Sequence, residues 1–318
     1  MRFARPALAI AATSLLALAP AAGAHGGDRG GKQERGDRHG GHHGHHAAPR
    51  PASIDLPAGF SAEAFTAHGG SLYVGSQVDG RILRVNVRTG AQRLVVPGRE
   101  GVHTNGIRIA GRTIVAAGGT TGKISLYDKR TGDPIRDYDV QGGFVNGVAV
   151  LGRTAYATDT LKHVLYAVPL DGKGDARTIA LGGDFVPAEL DLDGIVPAGH
   201  GQLLTGQYGT GLLFTVDPRT GAARKIDLGG VTLPKNDGLL LEGRTLRVAL
   251  NSGTVATVKL DRGLTAGRVV GSVPATPLRN PVDVARAGGR LYVLNANDPQ
   301  YPMPTDVDQI LALDALRR

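Results

Sequence analysis

Residues 105–118 read NGIRIAGRTIVAAG, residues 146–159 read NGVAVLGRTAYATD, and residues 237–251 read DGLLLEGRTLRVALN. Each line carries an amide or acid, a short apolar strand, a Gly turn and a second apolar strand. The apolar runs are short, rich in β-branched residues and bounded by Gly, and helix-period stretches are absent, which predicts an all-β fold. Three further lines share the pattern: AEAFTAHGGSLYVGS (62–76), DGIVPAGHGQLLTG (193–206) and PVDVARAGGRLYVLN (281–295).

The marker residues of the six lines are Glu63, Asn105, Asn146, Asp193, Asp237 and Asp283, spaced by 42, 41, 47, 44 and 46 residues. A third strand follows in every repeat: RILRVNV, KISLYD, VLYAVPL, LLFTVD, TVATVKL and QILALD. Turns such as Arg88-Thr89-Gly90, Arg130-Thr131-Gly132 and Arg219-Thr220-Gly221 lead to a fourth. A period of this length with about four strands per unit predicts a six-bladed β-propeller. Trp is absent, so the Trp-Asp type of propeller repeat is excluded. The last repeat ends after its third strand, and Ile54-Asp55-Leu56-Pro57 precedes Glu63 as Ile226-Asp227-Leu228 precedes Asp237. Residues 53–57 are therefore expected to complete the sixth blade and close the ring, leaving no open edge.

Outward from the repeats the chain changes character. Residues 1–24 carry a basic start, an apolar run over 7–19 and Ala22-Gly23-Ala24. That order is the pattern of a secretory signal peptide, and it predicts a secreted protein. The run is too short to span a bilayer, and no other segment is apolar for long enough. Residues 25–50 contain His25, His39, His42, His43, His45 and His46 with almost nothing apolar. This segment is expected to be a disordered leader. It reads either as a soluble spacer or as a loose binder of nickel, copper or zinc. Residues 51–318 then form the propeller.

The net charge is +8, of which residues 1–50 supply +4 (seven Lys and Arg against three Asp and Glu). The mild balance left on the fold does not argue for nucleic acid. With no cysteine there is no disulfide framework.

Propeller topology brings the six markers to one mouth of the central channel. A second set, Gln77, Asp159, Gln207, Asn251 and Asn295, lies at the ends of the second strands around the same mouth. Four carboxylates near one axis repel unless a cation joins them. Oxygen ligands without His or Cys suit calcium best, with magnesium or manganese next. The competing reading is turn chemistry, since Asn-Gly and Asp-Gly are common turn pairs. His103, two residues before Asn105, and Asp159, after TAYAT, are further candidates for the second shell or the pocket, as are Asn105 and Asp283.

The repeats resemble the gluconolactonase, regucalcin and senescence-marker-protein family of six-bladed propellers, over the whole chain from about residue 53. The resemblance implies an axial calcium or other divalent ion held by a Glu of the first blade, Asn of the third and fourth, and Asp of the fifth. Those blades here supply Glu63, Asn146, Asp193 and Asp237, with Asp193 where the family has Asn. It also implies that Asp237 acts as general base or as activator of a metal-bound water in lactone hydrolysis. Departures concern the pocket: the context of Glu63 is Ala62 and Ala64, Asn146 is followed by Gly147, and Phe144 and Val145 stand where sugar-lactone members place an Arg. Two functions follow as expectations: a metal-dependent hydrolase of a small-molecule lactone or ester, or a non-catalytic extracellular binding propeller with a structural metal.

Overall fold

The computed structural model describes residues 49–273, 278–296 and 307–314. The expected signal peptide (1–24) and nearly all of the expected His-rich leader (25–50) lie outside the described residues. Strands and turns make up the fold, with no helix among the described residues and hence none long and apolar enough to cross a membrane.

Six sheets, antiparallel except for one short added strand, are arranged as a β-propeller ring. Their inner strands are Ala62–His68, Gly106–Ala110, Val145–Leu151, Leu192–Gly199, Asn236–Glu242 and Asn280–Ala287. Each touches the next, and the sixth returns to the first. The alternation read in the sequence is the reason. Side chains on the two faces of each sheet pack against the neighbouring blades, so the core is a series of apolar layers between blades. The layer between the first and last blades, for example, holds Phe60, Phe65, Leu72, Tyr292 and Ile310.

Closure occurs as the repeat count requires. Ser53–Asp55 pairs antiparallel with Gln309–Ala312, the third strand of the sixth blade, with Ile54 opposite Ile310. The pairing extends in both directions: the Leu56 N–H donates to the Asp308 carbonyl and the Ala312 N–H to the Ala52 carbonyl, each at 2.9 Å. Ile54 and Leu56 are buried in the same layer. Arg50 adds a contact to the Gly288 carbonyl. The fourth blade gains a fifth strand, because Gly182–Gly183 lies parallel to Ala222–Lys225.

The Asn-Gly and Asp-Gly pairs are not turns. Gly106, Gly147, Gly194 and Gly238 lie within the inner strands, and none has a positive φ. They are glycine because the next inner strand passes against them. A Cβ on Gly194 would sit 2.1 Å from the Asp237 carbonyl oxygen, and one on Gly147 2.3 Å from that of Asp193. Gly194→Ala is therefore expected to cost about 3 kcal/mol by pushing two blades apart. Gly271→Ala, where a Cβ meets nothing within 4 Å, is expected to shift stability by no more than roughly 0.5 kcal/mol. Urea denaturation of both variants checks this, and equal effects would overturn the close-packing account.

Candidate functional site

The inner strands enter the ring irregularly. The pairing of first and second strands shifts register between Ala62 and Ala64, Val145 and Val148, Leu192 and Ile195, Asn236 and Leu239, and Pro281 and Asp283. Each shift is a β-bulge, which re-aims the side chain it carries. The residues left out of the pairing are Glu63, Asn146-Gly147, Asp193-Gly194, Asp237-Gly238 and Val282. The second blade has an unbroken ladder from Gly106 to Ala110. Asn105, at the marker position there, is buried beside Gly119 and does not line the mouth.

In the sixth blade the ring position belongs to Val282, not to Asp283 as the alignment of repeats suggested. Asp283 lies one residue on and points away. Its carboxylate accepts the N–H groups of Phe65 at 3.2 Å and Val284 at 2.8 Å.

Glu63, Asn146, Asp193 and Asp237 form the floor of one open pocket of 390 Å³. Phe144, Leu161, Leu190 and Val282 supply an apolar wall, and Thr160, Tyr208, Lys235, Asn251 and Asn280 complete the lining. Phe144, where the resemblance leads one to expect an Arg nearby, is thus part of that wall. Gln77 donates to Glu63 and Asn251 donates to Asp237, both at 3.0 Å. Asp193 lies beside Asp237 and Asn146. Two residues before Glu63 and Asp237 the backbone is left-handed, with φ of 51° at Ser61 and 60° at Lys235. Non-glycine residues adopt this conformation at a cost and concentrate at sites.

The electrostatics are those of acids short of cations. Burial, then the charges of Asp193, Asp308 and Asp283, push the Glu63 carboxyl up to about 8. Burial pushes Asp193 up to about 7 against the hydrogen bonds it makes, and raises Asp237 well above the usual range with help from Asp193 and Glu63. The donors are all oxygen, so their chemistry suits a hard divalent cation. Their present arrangement is pairwise. Among the described residues no group of three or more His, Cys, Asp and Glu is gathered around one point.

The other candidates have structural roles. Asp159 accepts the N–H groups of Gly143, Phe144, Leu161 and Lys162 and the Tyr166 hydroxyl. Burial opposes its charge, but the N–H groups hold it below the ordinary carboxylate value. It fixes the two loops that carry Phe144 and Leu161. His103 faces the Gln77 carbonyl and does not line the pocket. Gln207 donates to Asp191 and Val186, and Asn295 accepts from Arg279 and Asn280. Sequence reasoning missed two buried acids. Asp308 accepts the Ala62 N–H at 2.7 Å, and Asp191 faces His163. Asp191 had a signal in the alternation Leu190-Asp191-Leu192-Asp193. Asp308 had none, because its partner is 246 residues away.

No protein-family model matches the chain, and no curated protein does. Solved structures do. The Malassezia sympodialis allergen Mala s 1 superposes with a TM-score of 0.67 at 16% identity, over 82% of this chain and 96% of that one. U3-55K gives 0.62 at 9% identity, over 83% and 99%. The β-propeller domain of Myceliophteria thermophila Cps50 (Swd1) gives 0.58 at 15% identity, over 82% and 99%. At these identities the likeness is one of fold, and it places the chain among β-propellers without assigning a family.

Proposed function

We propose that the protein is a secreted, metal-dependent hydrolase of a lactone or ester, of the kind its repeats resemble. The observation that supports this most is the set of four bulges that aim Glu63, Asn146, Asp193 and Asp237 at the floor of one pocket with an apolar wall. Those four residues would hold a divalent ion, calcium first, which when bound supplies Lewis acidity toward a carbonyl oxygen. Asp237, oriented by Asn251, takes the proton of the attacking water. Phe144, Leu161, Leu190 and Val282 exclude bulk water and bind the apolar part of the substrate. The apolar wall favours a lactone or ester with a hydrocarbon portion over a sugar lactone.

A second reading is supported by the pairwise arrangement of the acids: a non-catalytic binding propeller whose ring holds an ion for stability. A panel of alkyl lactones and aryl esters, assayed with calcium, magnesium and manganese, separates the two. Hydrolysis is expected in the wild type, with kcat/KM reduced by about 100-fold or more in Asp237→Asn. Metal binding without hydrolysis of any member of the panel would leave the second reading.

A further inference from the structure

The inner strands run on from the acidic mouth to the opposite end of the central channel, where a separate cavity of 460 Å³ opens. Its walls are chiefly apolar and include Phe65, Val196, Pro197, Leu240, Leu241 and Val284. Four polar side chains interrupt the apolar lining: Thr66, Arg108, Glu242 and Arg286. Arg108, the third residue of the second blade's inner strand, lines this cavity and is only partly exposed. Its one hydrogen bond goes to the neighbouring Ile107 carbonyl at 2.8 Å, and it forms no ion pair among the described residues. Asp283 is near enough to feel its charge, but the carboxylate oxygens there are engaged by the Phe65 and Val284 N–H groups. The other charges at this end cancel, since Arg286 forms a two-armed pair with Glu242.

We propose that this cavity binds a small amphipathic monocarboxylate, with its headgroup on Arg108 and its hydrocarbon part along the apolar wall. The guanidinium fork matches a carboxylate and has donors to spare. A charge left with so few partners in an apolar cleft gains from a counter-ion more than it would in water. Arg108, the cavity cation without a salt bridge among the described residues, has Asp283 behind it and Glu242 at the rim, which fits one negative charge and disfavours a phosphate dianion. The volume falls within the roughly 300–1,000 Å³ of small-molecule sites. The site shares no lining residue with the acidic mouth, so it does not depend on a metal there.

Isothermal titration of the whole protein with octanoate tests this, with butanoate, octanol and octylammonium as comparisons. Saturable octanoate binding in the millimolar range or tighter is expected, weaker for butanoate and absent for octylammonium. Arg108→Gln is expected to weaken octanoate by at least about tenfold while leaving octanol unchanged. EDTA should change none of these. Absence of saturable octanoate binding to the wild type overturns the proposal, whatever the variant does. So does octanoate affinity that is equal in a folded Arg108→Gln protein, or equal to that of octylammonium.

Discussion

Removing residues 1–58 unfolds the propeller at ordinary temperature, whereas removing 1–50 leaves its melting temperature nearly unchanged: that is the result expected from the closure of the ring. The longer deletion takes away Ile54 and Leu56, both buried against the sixth blade. Burial of two such side chains contributes about 2 kcal/mol each. The deletion also strips the pairing partner from Gln309–Ala312 and exposes Ile310, which is fully buried. The sum, about 4–6 kcal/mol or more with the lost ladder, is a large part of the roughly 5–15 kcal/mol that holds a domain folded. The exposed edge also becomes a template for association. Among the described residues the shorter deletion loses the surface contact of Arg50 with Gly288 and the Arg50 charge near Tyr292. Thermal denaturation of the two truncated proteins decides it, and equal melting temperatures would defeat the closure argument.

The second large effect concerns pH and divalent ions together. Glu63 and Asp193 have carboxyls raised to about 8 and about 7 by burial and neighbouring acids. A group raised in the folded state holds its proton there after the unfolded chain has lost it. Stability from this source is therefore fully present below the ordinary values of 3.8 for Asp193 and 4.5 for Glu63, and is lost as pH rises to about 8. Without divalent ions the melting temperature is expected to fall between those limits. Calcium competes with the protons and should restore it, more at pH 8 than at pH 5. At a hundred times its Kd, an ion bound only to the folded state adds about 2.7 kcal/mol, or roughly 5–10 °C.

Asp237→Asn removes one of the repelling charges. It should raise the melting temperature of the metal-free protein at pH 8 and abolish the rise given by calcium. Opposite signs for one substitution, with and without the ion, are hard to obtain from a turn or from simple packing. A melting curve that no divalent ion shifts at pH 8 would remove the metal from the site. The acids would then be a protonated cluster.

The repeats were legible because period and alternation are properties of the chain itself. The spacing of Glu63, Asn105, Asn146, Asp193 and Asp237 marks successive blades, and the match of Ile54-Asp55-Leu56 to Ile226-Asp227-Leu228 announces the closing strand. Both follow from local rules: each blade repeats one strand-turn pattern, and the outer strand missing at one end must be found at the other. The sequence by itself also placed the acids at one mouth, since topology puts every inner strand's start there.

What the tertiary structure alone decided is which marker turns toward the axis. A strand alternates its side chains with period two, so a shift of one residue exchanges the faces, and a bulge leaves no trace in the pattern of apolar residues. Hence Val282 holds the ring position and Asp283 hydrogen-bonds backbone instead. The same limit hid the role of Gly147 and Gly194. A glycine needed for the close passage of a neighbouring strand reads the same as one needed for a turn, because the atom it makes room for belongs to the next blade. The apolar wall of Phe144, Leu161 and Leu190 and the Arg108 cavity likewise depend on loops and strands from different blades meeting across the ring.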